Sequence, residues 1–147
     1  MMPAPQLPKS RDTGVPMAVH QLHNLAHVEL NAIDLAWDTV ARFAHLRLPP
    51  QLYADFAHVA DDEARHLGWC LQRLHELGHA YGDLPAHDLL WEGAAASRGD
   101  VTARLAVVPM SQVRTHCTRV LRCTLVTVCP SCQARMSRGW HVAARMH

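Results

Sequence analysis

Over residues 15–48, apolar side chains return at steps of three and four: Leu22, Leu25, Ala26, Ala32, Ile33, Ala36, Val40 and Phe43. That spacing gathers them on one face of a helix. Pro49 and Pro50 interrupt the pattern, because proline lacks a backbone donor and clashes with the preceding turn. A second helical pattern follows, through Leu52, Phe56, Val59, Ala60, Leu67, Leu71, Leu74 and Leu77, with Gly78 placed to cap it. Two long helices joined by a short proline turn are expected to pack antiparallel. Residues 79–92, HAYGDLPAHDLLWE, combine turn formers with a short helix that Asp83 is placed to cap. Residues 93–100 read as a loop, and residues 101–108 open a further helix that Pro109 ends. The expected class is all-α.

Acidic residues interrupt the stripes. Glu29 lies between Leu25 and Ile33 at helical spacing, and Glu63 lies likewise between Val59 and Leu67, with His66 one turn further along. Burying a carboxylate without a partner costs several kcal/mol. A divalent metal offsets that cost, and Glu from one helix with Glu-x-x-His from its neighbour is half the ligand set of di-iron and di-manganese four-helix bundles. Asp34, Asp38, Asp61 and Asp62 fall off the stripes and read as solvated. His27 points away from Glu29 and reads as a hydrogen-bonding helix residue, not a ligand.

Composition narrows the classes. The chain has 147 residues, a formal charge of +1 and 49% hydrophobic residues, which suits one globular domain. No apolar run reaches the length of a membrane span, and nothing resembles a secretory signal, so a cytoplasmic location is expected, with an organelle as the alternative. Residues 1–16 read as a flexible Pro-rich leader. The twelve His keep metal chemistry open. Residues 101–147 contain seven Arg and no Asp or Glu, and residues 118–129 are β-branched, without a helical face. Residues 111–147 therefore read as an irregular basic tail.

That tail holds Cys117, Cys123, Cys129 and Cys132, which with His116 and His141 could be drawn as a zinc site, although the spacing matches no zinc module. Its arginines are scattered without aromatic interleaving, so nucleic-acid binding is not expected. Tyr81, Asp83, His87 and Asp88 are the loop candidates for function. His79, His87 and Asp88 invite a hydrolase reading, but no nucleophile accompanies them, and a capped loop packing Tyr81 and Trp91 over the helix pair is preferred.

The strings HNLAHVELNAIDLAWD (23–38), VADDEARHLGWCLQRLHELGHAYGDLPAHDLLWE (59–92) and ARLAVVPM (103–110) resemble a ferritin-like family catalogued as a domain of unknown function, number 455. The resemblance covers about residues 17–110. It implies a ferritin-like bundle, here an incomplete four-helix one, with a di-metal carboxylate site holding two Fe or Mn ions. Carried over by position, Glu29, Glu63 and His66 are the ligands. After Met110 the chain departs from the family's pattern, and the second Glu-x-x-His motif has no counterpart. This suggests a frame change or retained intron near Met110.

The resemblance thus implies a di-metal oxidoreductase with half its ligands in this chain. A homodimer could restore the set. The alternatives are a truncated, inactive helical interaction module and a zinc-binding Cys tail.

Overall fold

The apolar stripes fold as two long helices packed along their length. In the computed structural model, which describes Pro8 and residues 10–108, α1 spans Met17–Phe43 and α2 spans Pro50–Glu76. Two short helices follow, α3 over Leu89–Ala95 and α4 over Val101–Leu105. No strand occurs among the described residues, so the class is all-α. None of these helices is long and apolar enough to cross a membrane. Half of the expected leader, residues 1–7 and Lys9, lies outside the described residues, while Ser10–Asp12 form a 3-10 turn ahead of α1; the tail with its Cys cluster lies entirely outside them.

The joints are built from local chemistry. A 3-10 turn over Ala44–Leu46 ends α1, and Arg47 adopts a left-handed conformation at φ 50° to redirect the chain. Pro50 occupies the first turn of α2, where its missing N–H is no loss. Tyr53 clamps the corner: its hydroxyl donates to the Phe43 carbonyl at 3.1 Å and accepts from the Leu48 N–H at 3.1 Å. At the far end of α2, Gly78 takes φ 78° and donates to the His75 carbonyl, while the His79 N–H reaches the Leu74 carbonyl. That pair of bonds is the Schellman cap the glycine predicts.

Three apolar clusters line the interior. Val19 and Ala26 of α1 meet Cys70 and Leu74 of α2; Ala36 meets Phe56 and Ala60; Leu35 meets Leu90 and Ala94 of α3. Burying the valine, leucine and phenylalanine side chains among these stabilises by roughly 1.5–3 kcal/mol each, and the alanines contribute less. Two expectations about elements need correction. Gly93, Ala94 and Ala95 belong to α3 and not to a loop, because Leu90 and Ala94 give the segment a face to bury on Leu35. Asp83 caps no helix: its Oδ2 accepts from the Ala80 N–H at 2.7 Å and closes the 80–83 turn instead. Asp100 is the residue that caps, accepting from the N–H groups of Thr102 and Ala103 at the start of α4.

The stripes themselves are partly redrawn. On α2 the buried line is Phe56, Ala60, Cys70 and Leu74, whereas Val59, Leu71 and Leu77 are exposed. On α1 every fourth residue from Val19 to Phe43 is buried, and four of them are polar: His23, His27, Asn31 and Thr39. Such a row inclines across the helix surface, so α1 meets α2 on one side and the 79–95 segment on the other.

Candidate metal centre

The α1–α2 interface brings Glu29, Glu63 and His66 together. His66 Nδ1 lies 2.8 Å from Glu63 Oε2 and 3.8 Å from Glu29 Oε2. One donor atom from each of the three lies within 4.8 Å of the others. Glu63 and His66 share a face of α2 because they are one turn apart; Glu29 arrives from α1 because it occupies the stripe that packs on α2. The side chains of Glu29 and Glu63 are 14% and 17% exposed, that of His66 37%.

Electrostatics follow from that placement. Burial pushes the Glu29 carboxyl up to about 7, against the pull of the His66 imidazole, with the Glu63 carboxylate adding to the rise. Glu63 goes the other way: burial opposes ionisation there too, but hydrogen bonds from His66 and Glu29 hold it below the usual carboxylate range. His66, bonded to both acids, rises to about 10 despite its partial burial. In the metal-free chain His66 Nδ1 lies between the two acids, where a protonated ring offsets part of their charge.

Cys70 follows His66 by one turn and is buried; burial first, and the Glu29 charge second, push its thiol up to about 12. Burial thus favours its neutral thiol, and it is not one of the grouped donors. Sequence reasoning left it unassigned because a lone cysteine carries no spacing signal. Trp69 lies beside His66, ring centroids 5.5 Å apart.

Donor chemistry suits a divalent transition metal. Carboxylate and imidazole donors bind such ions at about 2.0–2.2 Å, so their mutual separations about one ion are roughly 3–4.4 Å. The observed separations are within a small side-chain rotation of that range.

The loop candidates lie elsewhere. Tyr81 stacks on His23 with centroids 5.1 Å apart and donates its hydroxyl to His27 Nδ1 at 2.7 Å. His27 Nε2 in turn donates to the His87 carbonyl at 2.6 Å. His27 is therefore the hydrogen-bonding helix residue its position on α1 predicts. His23 Nε2 accepts from the Gly82 N–H at 2.9 Å, leaving Nδ1 buried without a partner. Asp83 closes its turn and lies 3.8 Å from His79. His87 Nδ1 and Asp88 Oδ1 are likewise buried without partners. These residues fasten the 79–88 loop to α1. None of them joins the Glu29, Glu63 and His66 group.

Of the acids read as solvated, Asp34 is exposed, and Asp61 and Asp62 are exposed and paired with Arg65. Asp38 is a correction. Its Oδ2 accepts from Arg104 Nη1 at 2.9 Å and its Oδ1 from Arg42 Nη2 at 2.6 Å, and Arg104 is 1% exposed. The two guanidiniums, Arg42 first, hold the Asp38 carboxyl below its usual range.

A family described as "Protein of unknown function (DUF455)" matches residues 1–113. An "Uncharacterized protein" of Haemophilus influenzae is 41% identical over 93 residues, which cover 60% of this chain and 32% of that protein. The chain thus spans about a third of the length of the relative it matches. No solved structure matches it.

Proposed function

The chain belongs to the family Protein of unknown function (DUF455), and from that premise we propose that it carries half of a ferritin-like di-metal carboxylate centre and serves an oxidoreductase. The observation that supports this reading is the convergence of Glu29, Glu63 and His66, from two helices, in an interface that is otherwise apolar. A structural role alone gives little reason to place two carboxylates there, since a buried acid without full compensation destabilises by several kcal/mol.

In this reading Glu29 and Glu63 would hold the metal through carboxylate oxygens and His66 through a ring nitrogen. Bound iron or manganese would supply redox chemistry at open coordination positions. The chain's own residues do the rest. Glu29 and Glu63 supply the negative charge that draws a cation into the interface. His66 holds a proton at Nδ1 that must leave before the ring can act as a ligand, so metal uptake is coupled to proton release.

A second reading, a helical interaction module without metal, draws on the exposed Val59, Trp69, Leu71 and Leu77. Glu63→Ala separates the two. With a metal centre, the variant loses bound iron and the thermal stabilisation that iron confers. With an interaction module, iron content and melting temperature in added iron match the wild type.

A further inference from the structure

Three donors do not complete the coordination of a first-row divalent ion, which takes four to about six. The set is open on one edge: the His66 side chain is 37% exposed while the two carboxylates behind it are largely covered. That edge continues along α2. Val59, His66, Trp69 and Leu77 fall within about a quarter-turn of the helix circumference, at ~100° per residue. The three apolar members are 42%, 45% and 39% exposed. Single exposed apolar residues are ordinary on protein surfaces. Here they form one line on both sides of an unfinished donor set. The charges beside this line are already paired, Asp62 with Arg65 and Arg73 with Glu76.

We propose that this flank receives the same flank of a second copy of the chain, antiparallel about a two-fold axis near His66. Two helical hairpins then enclose the centre, and the same three residues of the partner subunit complete it. The inference rests on the metal reading above. A copy is favoured over a foreign partner because symmetry brings two further carboxylates and an imidazole in register with the first set, which an unrelated surface would have to reproduce.

The test uses the full chain, stripped of metal and then given Fe(II) without oxygen, with mass measured by light scattering and iron measured per chain. The wild type is expected to be a dimer with about one iron per chain. Val59→Arg and Leu77→Arg change exposed positions two and three turns from His66, so they spare the donors and the core; circular dichroism checks the fold of each. Both are expected to be monomers that bind iron roughly a hundredfold more weakly. A monomeric wild type with its full iron overturns the pairing and leaves the metal reading standing. Variants that stay dimeric and iron-loaded also overturn the pairing on this flank. A dimer that takes up no iron overturns the metal reading and, with it, completion of the site by a partner.

Discussion

At the scale of single residues, the sense of each acid depends on what it meets. Glu63 and Asp62 are neighbours in sequence, yet one faces α1 and the other water, because a helix turns by ~100° per residue. Periodicity was enough to separate them, and enough to find Glu29. It was not enough for Asp38, whose partner Arg104 lies 66 positions away on α4. No local pattern announces such a pair. Arg104 is the buried member, with Nε also lacking a partner, so its charge relies on Asp38. Asp38→Ala is therefore expected to destabilise the fold by about 3 kcal/mol, the cost typical of leaving a buried charge unpaired. Arg42→Ala removes an exposed partner of the same carboxylate and should unfold near the wild-type midpoint. Urea denaturation of the two variants measures the contrast, and equal losses would mean that Arg104 does not depend on Asp38.

At the scale of elements, the helices, their proline corner and the Gly78 cap were legible because each has a local cause. The faces were legible only in part. Leucine and valine dominate the periodicity, so Val59, Leu71 and Leu77 fall in the α2 stripe although they are exposed, whereas Phe56, Ala60 and Leu74 are buried as expected and Cys70 joins them. On α1 the polar members of the fourth-residue row conceal a second buried side, where the 79–88 loop bonds to His23 and His27 while Asn31 pairs with His27 and Thr39 with the Leu35 carbonyl. That fastening titrates. Burial, with His27 nearby, lowers the pKa of His23 and His87 below the ordinary imidazole value of 6.5. Bases with depressed pKa contribute stability that is present above 6.5 and lost as pH falls through the folded-state values. Protonated His23 also cannot accept the Gly82 N–H. Hydrogen exchange, corrected for intrinsic rates, should show protection at Gly82 falling between about pH 7 and 5 while Leu74 in the core keeps its own. In His23→Gln, which keeps an acceptor and removes the titration, protection at Gly82 should no longer fall over that range. A pH dependence unchanged in that variant would assign the effect to another group.

At the scale of the whole molecule, the described residues form an α1–α2 hairpin with two short helices laid over α1, and the donor set sits in the seam of the hairpin. The class and the seam follow from patterning and from the resemblance that the family match bears out. The ferritin-like bundle is a proposal, since a hairpin presents two of its four long helices. Under the dimer proposal the other half of the cage lies on a second chain, and complementation between chains leaves no periodicity within one of them. The direct test of the metal centre is the electron paramagnetic resonance signal of free Mn(II) during titration of metal-stripped protein. For the wild type, added Mn(II) should vanish from the free signal until the sites fill, and for Glu63→Ala the free signal should rise from the first addition. Identical curves for the two proteins would contradict the account.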